Sequence, residues 1–322
     1  MTAPAAARRA MVLALACAPL LAIAAPARKR LGILSVEDGP ATKESYADVL
    51  KALVARGFEE GKRLELLVRF EAEDGRTTDD RARDIVAWRP DAILTQGTIA
   101  TAAARRATRT IPIVTTVADP VGAGFAESIR RPGGNITGLS QGIAETSAKA
   151  MELLKLIIPG LRRIALLDRE EPQARLIASY REKAAREVGL EPVMVASNSP
   201  EEMTAVLRDL RARKIEAAFW GLAPGHPGKI AHDAVRARVP LVTSVESFVE
   251  AGMLASLGHS ELDYGPRTAT VIEQVFRGAN PAELPFQYPE RFRFVLNRRT
   301  AEMLGIAVRP ELLLRADRVI DF

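Results

Sequence analysis

Cysteine, histidine and aromatic residues are scarce in this sequence. The 322 residues include one cysteine, Cys17, three histidines and 5% aromatic residues. Because Cys17 lies in an apolar N-terminal segment, the rest of the chain can form no internal disulfide and has no thiol chemistry. His226 and His232 stand six residues apart rather than the four typical of paired ligands on one helix face. We therefore expect no metal site and no cofactor.

A strong excess of one charge is also absent. Lys and Arg total 45 against 40 Asp and Glu, so the formal net charge is only +5. The basic residues are scattered among acidic ones, whereas binding nucleic acid requires a concentrated basic patch. Hydrophobic residues make up 48% of the chain, enough for a sizeable core, and the length suits two domains. We predict a globular monomer without a nucleic-acid partner.

The N-terminus has the pattern of a secretory signal peptide. Arg8 and Arg9 precede an apolar run over residues 11–24, and small alanines follow it. We predict that residues 1–27 are the signal peptide and that the protein is exported to the periplasm. Two alternatives stay open, an uncleaved anchor and a lipid anchor on Cys17. The apolar run is short for a membrane span, and no later segment approaches that length.

Short apolar strands alternate with amphipathic helices along the rest of the chain. Such alternation is typical of parallel sheets covered by helices on both faces. The predicted strands cover residues 31–35, 64–70, 92–95, 111–117, 164–167, 192–196, 217–220, 241–245, 254–257 and 292–296. The predicted helices cover residues 43–56, 78–88, 99–108, 144–158, 173–188, 200–213, 228–238 and 262–276.

The alternation is interrupted at residues 119–140, which are rich in Pro and Gly and suit a crossover between two lobes. We therefore predict that residues 28–120 plus about 254–285 form one lobe. Residues from about 135 to 245 plus 290–322 are predicted to form the other. The fold class is α/β, with two lobes that each hold a parallel sheet.

Several short segments occur in an order and spacing typical of one protein family. They are Arg89-Pro90-Asp91-Ala92-Ile93, Gln96-Gly97-Thr98, Thr110-Ile111-Pro112-Ile113-Val114, Asp119-Pro120-Val121, Arg131-Pro132-Gly133-Gly134-Asn135-Ile136-Thr137-Gly138, Phe248-Val249-Glu250-Ala251-Gly252 and Leu313-Leu314-Arg315-Ala316-Asp317. Over residues 31–322 the chain resembles the ABC-transporter substrate-binding proteins related to the tryptophan-binding TrpX-like proteins, which have the type 1 periplasmic binding fold.

The resemblance implies two Rossmann-like lobes joined by a multi-stranded hinge, which close on a small molecule. It also implies partners, an ABC permease in the inner membrane and a separate ATPase. This sequence departs from the family at Asp168-Arg169-Glu170-Glu171-Pro172, where many relatives carry Asn and Pro. It also departs at Trp220-Gly221-Leu222, where Asp-Pro is often found. Since these positions are expected to face the cleft, no relative's ligand can be carried over.

The carboxyl ends of the predicted strands supply the candidate ligand-binding residues, because open parallel sheets bind ligands there. These candidates are Ser35, Glu37, Asp38, Gln96, Gly97, Thr98, Val117, Ala118, Asp119, Asp168, Trp220 and Glu246. In the Gln96-Gly97-Thr98 turn, Gly97 lets a ligand approach the backbone. Thr98 is suited to cap the next helix, whose free N–H groups can hold a carboxylate.

For Asp119, Trp220 and Glu246, a structural role is the alternative to ligand binding. Asp119 can bind a ligand ammonium group or hydroxyl, or it can initiate the turn at Pro120. Trp220 can stack on a ligand ring or fill the core. Glu246 can pair with a ligand cation or serve as the acid at a helix start.

Together these residues favour a small polar or zwitterionic ligand such as an amino acid, and aromatic amino acids are ligands of some members of the family that the chain resembles. Three other functions stay open. A sensory binding protein that docks on a receptor would share all of these features, and a two-lobed enzyme would reveal itself by turnover. A repressor effector domain is disfavoured by the signal peptide and by the lack of a preceding helix-turn-helix.

Overall fold

The structure is a computed structural model that describes residues 28–36, 40–70, 74–170, 172–221, 223, 225–259, 264–288 and 292–321. The predicted signal peptide with Cys17 lies outside the described residues, and so do Glu37 and Asp38. Within these ranges no helix combines the length and the apolar character needed to cross a bilayer.

The described residues alternate between strands and helices, as predicted. The strands are β1 (Lys29–Leu34), β2 (Leu64–Arg69), β3 (Ala92–Gln96), β4 (Ile113–Val117), β5 (Ile136–Ser140), β6 (Arg163–Asp168), β7 (Glu191–Ala196), β8 (Ala217–Trp220), β9 (Leu241–Thr243), β10 (Ala255–His259), β11 (Phe292–Asn297) and β12 (Arg318–Ile320). The helices are α1 (Pro40–Ala55), α2 (Thr78–Ala87), α3 (Thr98–Ala107), α4 (Ile143–Ile157), α5 (Pro172–Glu187), α6 (Pro200–Asp209), α7 (Pro227–Arg236), α8 (Glu246–Glu250), α9 (Tyr264–Phe276), α10 (Arg298–Leu304) and α11 (Pro310–Arg315).

Local sequence explains where several helices begin. At α2 the Thr77 side chain accepts the Asp80 N–H at 3.2 Å, and the Asp80 carboxylate accepts the Thr77 N–H at 2.9 Å. This reciprocal pair satisfies backbone donors that a helix start leaves unpaired. At α6 Ser199 accepts the N–H of Glu202, and Pro200 occupies the first turn, where its missing N–H costs nothing.

The first sheet has five parallel strands in the order β2-β1-β3-β4-β5. Its central strands are buried along almost their whole length, as expected when helices cover both faces. One face packs α1 and α9 around Leu53 and Ile272, and the other packs α2 and α3 around Ile85 and Ala103. We call this sheet and its helices the first lobe.

The second sheet has seven strands in the order β12-β11-β10-β9-β8-β6-β7. Met151 of α4 and Leu312 of α11 pack on one face, while Leu207 of α6 and Ile230 of α7 pack on the other. All of its pairs are parallel except β10 with β11, which run antiparallel. We call this sheet and its helices the second lobe, and the predicted α/β class with two mostly parallel sheets is confirmed.

The chain passes between the two sheets three times, after β5, after β10 and before β11. The last of these connections is hydrogen-bonded to the end of β5. The Ser140 N–H donates to the Gln287 carbonyl at 2.9 Å, and the Gln287 N–H donates to the Gly138 carbonyl at 2.9 Å. The connection that leads to β11 therefore runs beside the chain where it leaves the first sheet, and the multi-stranded hinge stays a prediction.

Two strands lie on the other side of the predicted lobe boundaries. The boundary near residue 135 assigned β5 to the second lobe, but β5 pairs with β4 along its full length. The segment 254–285 was assigned to the first lobe, but β10 pairs with β9 and β11 in the second. β5 was not predicted for two reasons. It lies in a stretch rich in Pro and Gly. All five of its residues are buried, so its sequence shows no alternation of apolar and polar residues. The division into two lobes that close on each other stays a prediction.

Candidate functional site

Gln96, Gly97 and Thr98 lie together at the carboxyl end of β3, as the sequence predicted. The Gly97 N–H donates to the Thr116 carbonyl of β4 at 2.9 Å, so this turn lies beside the end of β4. Gly97 has a φ of 78°, a conformation that favours glycine. The prediction that Thr98 caps α3 is wrong, because Gly97 holds the cap position and no side chain bonds there. The start of α3 therefore has no side-chain acceptor.

Asp119 follows β4 and uses its two carboxylate oxygens differently. Oδ1 accepts the N–H groups of Val121 at 3.0 Å and Gly122 at 2.8 Å, which closes the turn at Pro120. Oδ2 accepts the hydroxyl of Tyr180, which belongs to α5 of the second lobe. Asp119 thus initiates a turn and also contacts the opposite lobe.

Two further side chains lie near this contact. Glu145 lies in the first turn of α4, and Tyr288 lies beside the connection that leads to β11. We call Asp119, Glu145, Tyr180 and Tyr288 the interlobe cluster, because residues of both lobes and of the connection contribute to it. Neither carboxylate forms a salt bridge with another described residue. The cluster therefore holds two carboxylates that have no salt-bridge partner among the described residues.

The negative charge of the two carboxylates raises the pKa values of both tyrosines in the cluster. The hydrogen bond to Asp119, then burial and the charges of Asp119 and Glu145, raise the pKa of Tyr180 to about 12. Burial and the charges of Glu145 and Asp119 also raise the pKa of Tyr288. Both hydroxyls therefore stay protonated near neutral pH and can act as hydrogen-bond donors.

Gly122 makes room for the contact between the lobes. A Cβ atom at this position would lie 2.9 Å from the Asp119 carboxyl carbon and 2.9 Å from the Tyr180 hydroxyl. Such distances are too short for unbonded atoms, so any side chain here would displace one of the two groups.

Asp168 ends β6, as predicted, but it points into its own lobe. It is 1% exposed and accepts the Arg181 guanidinium of α5 at 3.0 and 3.3 Å. Arg181 is also buried, and this burial lowers its pKa against the opposing effect of Asp168. The pair fastens α5 to the end of β6, and the prediction that Asp168 binds ligand gains no support from this geometry.

Trp220 ends β8 and Glu246 follows β9, and both side chains make contacts within the second lobe. The Trp220 side chain is 2% exposed and packs in the core with Met203 and Leu210, which favours the core alternative. Glu246 is the first residue of α8 and pairs with Arg318 at 3.2 Å and Arg293 at 3.3 Å. It joins α8 to the C-terminal strands.

The end of β1 and the start of the first connection contain two buried serines. Ser35, a predicted site residue, is 3% exposed. Glu37, which is also a predicted site residue after β1, lies outside the described residues. Ser140 is the centre of Gly-Leu-Ser-Gln-Gly at residues 138–142, which matches the Gly-x-Ser-x-Gly pattern of hydrolase nucleophiles. Ser140 is 2% exposed and accepts the Gly142 N–H at 3.2 Å, and no described histidine bonds to it. Its contacts are those of a turn residue.

Sequence reasoning missed Glu145, Tyr180, Tyr288 and Gly122. Tyr180 lies in the interior of a helix, where the rule about strand ends cannot select it. Glu145 follows the connection after β5, and recognising that connection would have drawn attention to the first turn of α4.

Comparisons with known proteins agree with this fold. The sequence model of the ABC transporter substrate binding protein family matches residues 30–320. A conserved domain protein from Vibrio cholerae has the same fold, with a TM-score of 0.80 and 27% identity over 90% of this chain and 99% of that one. An ABC domain from Streptococcus pneumonia in complex with L-Trp has a TM-score of 0.78 and 23% identity, over 91% of this chain and 100% of that one.

A curated relative is the tyrosine-binding protein of Clostridioides difficile, which is 24% identical over 87% of this chain and 81% of its own length. The family model covers nearly all of the described residues, including both sheets and the interlobe cluster. The chain belongs to the ABC transporter substrate-binding protein family.

Proposed function

We propose that this protein captures an amino acid between its two lobes and presents it to an ABC importer. The observation that carries the proposal is the interlobe cluster, in which polar groups from both lobes meet at the carboxyl ends of the strands. Ligands of open parallel sheets bind at this edge. A molecule held there would touch both lobes at once.

The first lobe offers complementary groups for the two charges of an amino acid. The start of α3 presents backbone N–H groups without a side-chain acceptor, which suits a carboxylate. Asp119, at the end of the neighbouring strand, has a carboxylate oxygen that faces the opposite lobe, and beside the Tyr180 hydroxyl this oxygen can accept a second hydrogen bond from an ammonium group. Glu145 adds a second negative charge from α4, so the site attracts a cationic head.

Apolar surface near the same strand ends favours an aromatic or large apolar side chain. Ile99 is 45% exposed at the start of α3, Val121 is 41% exposed after β4, and Tyr288 is 42% exposed. Exposed apolar groups beside a polar site are typical of ligand pockets. Two relatives are described with tyrosine and with L-Trp, so aromatic amino acids are the first ligands to test.

Capture would proceed by closure of the lobes about the three connections. A ligand that contacts both lobes binds the closed state better than the open state and therefore shifts the population toward it. We propose that the protein works in the periplasm after export, and that the closed form is recognised by an inner-membrane permease with its own ATPase.

Thermal unfolding with each of the common L-amino acids tests the ligand class. A ligand at one hundred times its Kd stabilises the folded protein by roughly 2.7 kcal/mol and raises the Tm. We expect the largest shifts for Trp, Tyr or Phe, checked by calorimetric titration. No shift with any amino acid would contradict the proposal.

Charge-neutralising variants test where the ammonium group binds. Asp119→Asn keeps an oxygen for the turn but removes the charge, so affinity should fall roughly tenfold or more. Glu145→Gln should reduce affinity less, because Glu145 is exposed. Glu152→Gln is the matched control, since it lies two turns further along α4 and is also exposed. Equal affinity in all three variants would rule out this site.

A further inference from the structure

Tyr180 and Asp119 form a direct hydrogen bond between the lobes. Tyr180 belongs to α5 and Asp119 follows β4, and 61 residues separate them along the chain. The bond joins two groups of the protein itself. The protein therefore carries its own polar contact across the cleft.

The contact is supported on both sides. On the first lobe, the N–H groups of Val121 and Gly122 hold the other oxygen of Asp119, which orients the carboxylate. On the second lobe, the residue next to Tyr180 is Arg181, whose buried ion pair with Asp168 fixes the rotation of α5 about its axis. Neither support depends on a ligand.

The chain also leaves space for this contact at Gly122. The backbone of Gly122 does not adopt a conformation that requires glycine, so an alanine would be tolerated there by the backbone. Its Cβ would instead collide with the Asp119 carboxylate and the Tyr180 hydroxyl. The lack of a side chain at residue 122 is thus tied to the contact itself.

We propose that Tyr180 and Asp119 form a clasp that holds the two lobes together before a ligand binds. The clasp rests on the proposed function only in that both concern the same cleft. Because it favours the closed arrangement, it supplies part of the free energy of closure that the ligand would otherwise have to supply. Tyr180 is then a positioning residue that tunes how much of the free protein is closed.

Distances between fluorescent labels on the two lobes test the clasp in the ligand-free protein. Val54→Cys on α1 and Met194→Cys on β7 provide exposed label sites, in a chain with Cys17→Ser. Tyr180→Phe removes only the hydroxyl. A hydrogen bond to a charged group is strong enough that the ratio of closed to open molecules should fall roughly tenfold.

Two matched pairs distinguish the clasp from a general loosening of the protein. Tyr288→Phe removes a hydroxyl that forms no hydrogen bond to a described residue, and it should leave the label distance unchanged. Gly122→Ala should open the protein as Tyr180→Phe does. Gly134→Ala, where a Cβ would meet nothing within 4 Å, should not.

The result is independent of the identity of the ligand. If Tyr180→Phe and Gly122→Ala keep the wild-type distance distribution, the clasp is overturned, whether or not L-tryptophan and L-tyrosine bind. If both variants open while neither amino acid binds, the clasp is supported and the proposed ligand class fails.

Discussion

Asp119 and Asp168 occupy corresponding places in the two lobes but have opposite surroundings. Asp119 follows β4 and Asp168 is the last residue of β6, and each of these strands is second from one edge of its sheet. Asp119 is half-buried, and one of its oxygens reaches the opposite lobe. Asp168 is 1% exposed and is neutralised by Arg181 of its own lobe. One carboxylate contacts the opposite lobe, and the other is part of the core of its own lobe.

The difference shows what the rule about strand ends can and cannot predict. It selects the edge of the sheet where a ligand binds, because the topology of parallel sheets determines that edge. It cannot predict whether a side chain there meets a partner from its own lobe. Arg181 stands thirteen residues after Asp168, on the helix that follows the strand, and its burial is visible only in the folded chain.

The largest effect that separates the two carboxylates should be on stability. Asp168→Asn leaves the buried Arg181 without a counter-charge, so the free energy of unfolding should fall by about 3–5 kcal/mol. Asp119→Asn keeps the turn and should cost about 1 kcal/mol or less. Urea unfolding of both variants measures the difference. Similar losses in the two variants would contradict the contrast drawn between the lobes.

A double replacement sharpens this first prediction. Asp168→Leu combined with Arg181→Met removes both charges and keeps apolar volume, so much of the lost stability should return. If the double variant is as unstable as Asp168→Asn, the loss arises from packing rather than from the unpaired charge.

Most of the fold could be predicted from the sequence, because apolar runs and amphipathic segments report strands and helices directly. The helix predicted over residues 144–158 is α4 at Ile143–Ile157, and the strand predicted over 164–167 lies within β6. The strands that the sequence did not predict are β5, which is wholly buried and lies among glycines and prolines, and the three-residue strand β12. Neither carries a periodic signal.

The site could be predicted only in part. The turn at Gln96, Gly97 and Thr98 and the carboxylate of Asp119 do lie on neighbouring strand ends. Tyr180 was not predictable, because its contact with Asp119 depends on how the lobes meet and not on any local pattern. Trp220 illustrates the converse, since a strand end alone cannot tell a ring that faces the cleft from one that fills the core.

The pH dependence of stability tests the hydrogen bond between Tyr180 and Asp119, and the expected effect is smaller than that of the replacements above. The pKa of Tyr180 is raised from 10.0 to about 12 in the folded protein, chiefly by its hydrogen bond to Asp119. A group with a raised pKa contributes its full stability below pH 10 and loses it as the pH rises through about 12. The difference in unfolding free energy between wild type and Tyr180→Phe should therefore be constant below pH 10 and shrink above it. A difference that persists beyond pH 12 would contradict the assignment.

The smallest effect is expected at Glu246, the third carboxylate after a strand. Its partners Arg318 and Arg293 are 39% and 29% exposed, so water and salt screen these pairs far more than the pair of Asp168 and Arg181. Glu246→Gln should lower the free energy of unfolding by about 1 kcal/mol or less, and the loss should diminish at high salt. It should leave ligand affinity unchanged, because Glu246 joins α8 to β11 and β12 instead of facing the cleft. A fall in affinity comparable to that of Asp119→Asn would restore Glu246 as a ligand-binding residue and would show that an arginine partner does not disqualify a carboxylate at a strand end.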